Sequence, residues 1–296
     1  MLRLAVATDA ETLDRIAEPL ADRGIEAVHV PTTERVQPLS EPLAGTEFDA
    51  GFVYPSRLME GGVADALLDV PWVNGRDAVL RSRNKAGALA RLGRAGVPTP
   101  ETVYVSNPAG EPELRAAFER FEPPVVVKPN STTRGVGIAK AGDLDSFLGI
   151  CDYLALVHDY RAADDRSFLL QEFLPEARDI RAMVVDGEFA GAVERRLSAA
   201  DREAGRWKHN VHRGATAEGV DLPTDLRQLA ETAARELGID WLGVDILVSG
   251  DRAVVNETNA RPTVDTATKY ESGFYDRLAG LIRRTADDPL RGSDGG

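Results

Sequence analysis

Two carboxylates and an amide carry the clearest chemical signal in the chain. Asp245 lies in VDILV, and Glu257 and Asn259 lie in VVNETNA, β-rich runs in which apolar residues would pack better. A buried carboxylate needs a compensating charge. Glu257 and Asn259 are two residues apart and so project from one strand face, while SGDR between the runs supplies a hairpin turn. A three-residue loop, 250–252, would set Asp245 opposite Glu257; a two-residue loop would set it opposite Asn256. The odd loop is the expectation. Together the three side chains suit Mg²⁺, a hard cation that adds water and phosphate oxygens to a few protein ligands. A solvated hairpin with ordinary surface acids would have the same spacing.

A second constellation is VVVKPNSTTRGVG, where a strand delivers Lys128 and a loop of small hydroxyl and glycine residues follows. Ser131, Thr132, Thr133, Gly135 and Gly137 let backbone N–H groups approach phosphates closely. The lysine precedes the glycines and no helix begins at the loop, so this is not a Walker A sequence. Strand, lysine, flexible loop and second strand describe a lid folding over a nucleotide. A glycine-containing hairpin with a surface lysine is the plainer alternative.

A third group gathers Arg195, Arg196, Lys208, Asn210, His212 and Arg213 in an otherwise acidic chain. Such donors could hold a transferring phosphoryl group and a carboxylate, with arginine favoured where two parallel hydrogen bonds form. Scattered cations on a solvated loop are the alternative. His209 and His212 have no partner at metal-ligand spacing, so zinc is not expected.

The elements that must position these groups follow from periodicity. Through about residue 75, LRLAVAT, ETLDRIAEPLADRG, IEAVHV, FDAGFVY and ALLDVPWVN alternate as βαβ units do, predicting an open α/β lobe with a parallel sheet. In its first helix Leu13, Ile16, Ala17 and Leu20 share a face, and Pro19 must kink or shorten it. One helix is predicted from Arg76 to Ala95, stopped by Gly96, Pro98 and Pro100. A compact α+β unit follows, then a lobe of antiparallel strands with a covering helix in which Leu226, Leu229, Ala230, Ala233, Ala234 and Leu237 recur at helical spacing. The domains read as 1–75, 76–170 and 171–286, with 287–296 a flexible tail.

Composition excludes several classes. The 43% hydrophobic content suits a globular core rather than disorder, and no apolar run approaches the ~20 residues of a membrane span. The start of the chain does not read as a signal sequence, and a cytoplasmic protein is expected. With 48 acidic against 35 basic residues, net charge −13, the chain should not attract nucleic acid or anionic membrane. Cys151 is the one cysteine, in the apolar run DLDSFLGICDYLALV, and is read as a buried thiol without chemistry.

In chain order Asn84-Lys85, VVVKPNSTTRGVG, LLQEFLPEARDIR, NVHRGA, VDILV and NETNA resemble the ATP-grasp superfamily and, within it, the RimK-like amino-acid ligases, over residues 70–285. The resemblance implies an ATP-grasp fold and an ATP- and Mg²⁺-dependent ligase that joins a carboxylate to an amine through an acyl phosphate. It implies that Lys85 and Lys128 touch the phosphates and that 131–137 forms the lid. Glu172, Phe173 and Leu174 would read adenine through their backbone, and Asp179 would hold the ribose. Asp245, Glu257 and Asn259 would bind two Mg²⁺ ions, for which Mn²⁺ can substitute. Arg213, with Lys208 and Asn210, would stabilise the acyl phosphate. Arg261, Arg195 and Arg181 are candidates for binding the substrate.

The implied partners are a small-molecule or peptide carboxylate, an amino acid such as glutamate, a carrier or target protein, and further copies of the chain. After NETNA the sequence runs RPTVDTATKYESGF, where RimK-like glutamate ligases typically have a Ser-Pro-Gly turn, so the acceptor site departs from the pattern. A D-alanine-type peptide-forming ligase, a phosphotransferase and a non-catalytic ATP-binding regulator are the competing readings.

Overall fold

The computed structural model describes all residues except 9–10, 44–46, 134, 158–164, 209–213, 267–268 and 289–296. The N-terminal lobe comprises β1 (Leu2–Val6), α1 (Glu11–Ala21), β2 (Ile25–His29), β3 (Ala50–Phe52) and α2 (Leu58–Leu68). Its sheet has the order β2-β1-β3 and is wholly parallel, as the βαβ alternation predicts. Helix α1 runs through Pro19 and ends two residues later. A proline at 19 has no N–H for the Arg15 carbonyl. The Tyr275 hydroxyl donates to that oxygen instead, at 3.2 Å.

The single helix expected over 76–95 is two: α3 (Arg76–Arg83) and α4 (Lys85–Arg94). Asn84 divides them, because its side chain accepts from the Gly87 N–H at 3.0 Å and caps α4. Leu89 and Leu92 are buried as predicted, whereas Ala95 is exposed. Both helices pack on the C-terminal lobe, and the start of α4 is also bonded to Asn130 of the central lobe.

The central lobe contains β4 (Thr102–Val105), α5 (Glu111–Phe118), β5 (Val125–Pro129), β6 (Ala139–Ala141), α6 (Leu144–Val157) and β7 (Phe168–Glu172). Its antiparallel sheet, β4-β7-β5-β6, packs against α5 and α6 through Leu114, Phe118, Val125, Val127, Phe147 and Phe168. Cys151 is buried in this core, and burial pushes its thiol up to about 12. It is an inert thiol.

The C-terminal lobe contains β8 (Arg178–Val185), β9 (Glu188–Arg196), α7 (Ala199–Glu203), β10 (Thr216–Gly219), α8 (Thr224–Leu237), β11 (Trp241–Ser249), β12 (Arg252–Asn259), β13 (Lys269–Tyr270) and α9 (Phe274–Ala286). The polar stretch after β9, for which no element was predicted, supplies α7 and β10. The antiparallel order is β10-β9-β8-β11-β12, with β13 also on β9. Side chains alternate across a strand, so the sheet has two distinct faces. Ile180, Ala182, Val184, Val244 and Ile246 form one face with α8 and α4. On the other, Met183, Val185 and Trp241 pack with α9 and the N-terminal sheet. Further along that face lie the charged side chains of Asp179, Arg181, Arg195 and Asp245, which form the candidate site.

Among the described residues no helix is long and apolar enough to cross a membrane. The tail, 289–296, lies outside them.

One buried amide ties the lobes together. Asn74 Nδ2 donates to the carbonyls of Trp241 and Ala260, at 2.6 and 2.7 Å. Ser82 Oγ lies 3.1 Å from Thr258 Oγ1 and accepts from the Ala260 N–H. The end of β12 is thereby fixed from both sides. Asn74→Ala leaves two buried carbonyls without this donor and is expected to lower stability by about 3 kcal/mol, read in denaturant unfolding as an earlier midpoint with unchanged slope.

Candidate active site

Asp245 lies opposite Glu257, as the sequence predicts, but by a different device. The hairpin loop has two residues, since Ser249 pairs with Arg252, and the register then shifts between Ile246–Val255 and Asp245–Glu257. Asn256 is the extra residue of a β-bulge. Val255 consequently faces the core while Glu257, two positions on, faces the site. The three-residue loop is therefore corrected to a tight turn plus a bulge. Asn259 lies on the same strand, and its Oδ1 accepts from the Arg261 N–H at 2.9 Å, shaping the exit from β12.

Lys85 and Lys128 approach these carboxylates from the linking helix and the lid lobe. Both ammonium groups are buried. Lys85 Nζ lies 3.5 Å from Glu257 Oε1 and donates to the carbonyls of Asn130 and Thr132. Lys128 Nζ donates to the Asn256 side chain and carbonyl at 3.3 and 3.4 Å. Burial brings the Lys128 ammonium down to about 8, against the opposing pull of Glu257. Lys85 lowers it further by repulsion.

The lid loop follows β5. Thr132 Oγ1 donates to the Val136 carbonyl at 2.9 Å, and Gly135 and Gly137 have φ of +67° and +78°. A Cβ on Gly137 would sit 2.8 Å from Pro129 Cγ, so both space and backbone conformation select glycine there. Ser131 Oγ is buried with no hydrogen-bond partner. An orphaned hydroxyl at the start of a loop between two buried lysines is a donor suited to a phosphate oxygen.

The hinge residues are also on this side. Glu172 is held by Arg252 through two bonds of 2.7 and 2.6 Å and accepts from the Glu101 N–H. Burial raises its carboxyl, and the Arg252 contact more than offsets this, leaving it below the usual range. Its own N–H is committed to the Glu101 carbonyl, so of the three residues expected to read a base, this backbone donor is already used. Phe173 packs edge-on against Trp207, 5.9 Å between centroids, with the Lys140 ammonium 4.7 Å from the Phe173 ring. Leu174 follows directly.

The predicted basic cluster divides. Arg195 and Arg196 are consecutive on β9 and take opposite faces: Arg195 bonds Asp179 and Asp245, while Arg196 bonds Glu194 and Glu218 on the reverse side. Lys208 donates to the Ile138 carbonyl, ahead of β6, and stands 5.5 Å from the Trp207 ring. His209, Asn210, His212 and Arg213 lie outside the described residues. Asp179, expected at a ribose, is an ion-pair partner of Arg195. Arg181 grips Asp245 with Nε and Nη2 at 2.7 and 2.8 Å. Burial raises the Asp245 carboxyl, and Arg181 and Arg195 outweigh burial to hold it far below the ordinary range. Arg261 donates to the Tyr54 carbonyl in the N-terminal lobe.

Asn256, Asn130, Lys140 and Trp207 were not singled out from the sequence. Asn130 joins Asn84 to the start of α4, donating to Asn84 Oδ1 and accepting from the Ala86 N–H. An aromatic residue within a polar stretch was the available signal for Trp207.

Two β lobes closing on a cleft of buried lysines and paired carboxylates define the ATP-grasp class of folds. The RimK-like ATP-grasp domain family matches residues 82–274, and the chain belongs to that family. A probable alpha-L-glutamate ligase of Enterobacter is 32% identical over 194 residues, covering 65% of this chain and 60% of that protein. A Marinobacter nauticus protein of the same description is 33% identical over 219 residues, 71% of this chain and 65% of its own. The chain thus spans under two thirds of the length of these relatives. A RimK-domain ATP-grasp protein from Sphaerobacter thermophilus superposes with TM-score 0.65 at 23% identity, over 97% of this chain and 99% of its own. Bacillus anthracis D-alanine–D-alanine ligase does so with TM-score 0.70 at 16% identity, over the full length of both. These two likenesses show the fold.

Lys128 sets a pH dependence. Its ammonium is depressed from 10.5 to about 8 on folding. The unfolded chain holds the proton more tightly in that window, so the group costs stability below pH 8, a cost that fades as pH rises toward 10.5. A phosphate favours the charged form. Calorimetric titration from roughly pH 7 to roughly pH 9.5 should therefore show Mg·ATP affinity falling above about pH 8, and Lys128→Arg should flatten that fall.

Proposed function

We propose that the chain is an ADP-forming carboxylate–amine ligase. The observation that carries this reading is the facing of Lys85 and Lys128 with Asp245, Glu257 and Asn259 across one cleft. Among the described residues no three His, Cys, Asp or Glu side chains gather into a metal cage. Two carboxylates and an amide form an incomplete ligand set, as expected where phosphate oxygens complete the shell of Mg²⁺. The orphaned Ser131 hydroxyl and the buried lysines fit the same triphosphate.

Mg²⁺ held by Asp245, Glu257 and Asn259 would neutralise the phosphates, and ATP would supply the phosphoryl group that activates a carboxylate as an acyl phosphate, releasing ADP, before an amine displaces phosphate. The chain's own residues position and shield. Lys85 and Lys128 hold phosphate oxygens, with Glu257 and Asp245 opposing the loss of the Lys128 proton that burial favours. Asp245, Glu257 and Asn259 hold the cation. Residues 131–137 would close over the cleft and keep water from the acyl phosphate, a reactive mixed anhydride. The relatives' description as probable alpha-L-glutamate ligases supports glutamate as a substrate, here taken as the amine, with a protein, carrier or cofactor carboxylate as the proposed acid. No protein nucleophile is needed.

The test is ADP release by the purified chain with Mg·ATP and a small-molecule extract, with and without mixed amino acids, followed by mass spectrometry. Amino-acid-dependent ADP with a new product mass is expected, and Glu257→Ala and Lys128→Ala should each lower the rate by roughly a hundredfold or more. An active double variant would sink the proposal.

A further inference from the structure

We infer that Arg181 masks the metal-binding carboxylate Asp245, so that a divalent cation joins the site only together with the nucleotide, whose γ-phosphate draws Arg181 away. The inference rests on the ligase reading for the identity of the nucleotide and on the geometry of three neighbouring strands for everything else.

Asp245 is opposite Arg181 on β8 and Glu257 on β12. Both of its oxygens are taken by the Arg181 fork, and Oδ2 also receives Arg195 at 3.1 Å. A carboxylate so engaged offers a cation little of its charge. Charge balance gives the same result. Lys85, Lys128, Arg181 and Arg195 face Asp179, Asp245 and Glu257, leaving one positive charge in excess among these seven groups. A bare divalent ion would raise that excess to three, whereas Mg·ATP, with two net negative charges, reverses its sign. The cleft therefore repels the free cation and attracts the complex.

The two arginines are not equivalent. Arg195 is anchored by Asp179 as well as Asp245, and its side chain is 14% exposed. Arg181 is held by the Asp245 fork, and its side chain is 32% exposed. It is the member placed to swing. Its stem passes Gly243, where a Cβ would make ordinary contact with Arg181 Cδ at 3.8 Å and crowd Pro262 at 3.2 Å. Once released, the guanidinium matches a terminal phosphate, whose oxygens accept two parallel bonds as a carboxylate does. Arg181 is thus the partner that occupies Asp245 before the nucleotide binds and a phosphate ligand afterwards.

The test uses Mn²⁺ as probe. Electron paramagnetic resonance of the free ion, titrated with nucleotide-free protein, should show weak binding to the natural chain and at least roughly tenfold tighter binding to Arg181→Met. Asp245→Asn added to that variant should abolish the gain. A gain in affinity is not the result of a damaged fold, and Arg181→Lys, which keeps the charge without the fork, should fall between. With Mg²⁺ present, Arg181→Met should weaken ATP by roughly tenfold or more and leave ADP unchanged. Equal Mn²⁺ binding by the natural chain and Arg181→Met, with Mn·ATP bound normally by both, would overturn the masking and spare the ligase reading. Failure of the natural chain to bind Mn·ATP at all would overturn both.

Discussion

The structure turns on keeping opposite charges together away from water. Lys85 and Lys128 are nearly inaccessible, as is Asp245, and none could be charged there alone. Each is supplied by a different part of the chain: the capped start of α4, the end of β5 and the middle of β11. The cleft can exist only if the linking helices, the lid sheet and the large sheet are held in register with one another. The uncharged bonds serve that end, Asn74 and Ser82 at the tip of β12 and Asn130 between β5 and α4.

The division of labour between sheet faces follows from the same constraint. One face of the large sheet is closed by α8 and α4 and carries the apolar mass of the lobe. That frees part of the other to be polar. The apolar patch Met183, Val185 and Trp241 joins this second face to the N-terminal lobe, so the small parallel sheet contributes by fixing where the charged patch ends. At the opposite end of the cleft, Arg252 and Glu172 join the lobes through a part-exposed pair, the kind of contact that contributes little to stability.

Much of this was legible in the sequence. Alternating apolar runs give the parallel N-terminal sheet, helical spacing gives α8, and acids embedded in strand-like segments point to the cleft. What escaped depends on information that a period of two or 3.6 does not carry. The break at Asn84 comes from one side chain competing with the backbone of an otherwise helical run. The bulge at Asn256 leaves the predicted pairing of Asp245 and Glu257 intact while overturning the reason given for it. Arg195 and Arg196 looked like one cluster because they are adjacent, yet adjacency in a strand sends side chains to opposite faces. The arginine fork on Asp245 could not be read at all, since it joins positions 64 residues apart.

The bulge also separates two tasks that a plain strand would have to share. Without Asn256 the hairpin would run in plain alternation from its two-residue turn, with Val255 still inward and the next residue, the glutamate, still opposite Asp245. Asn256 therefore shifts nothing on either side of it and adds acceptors for Lys128 that strict alternation has no position to offer.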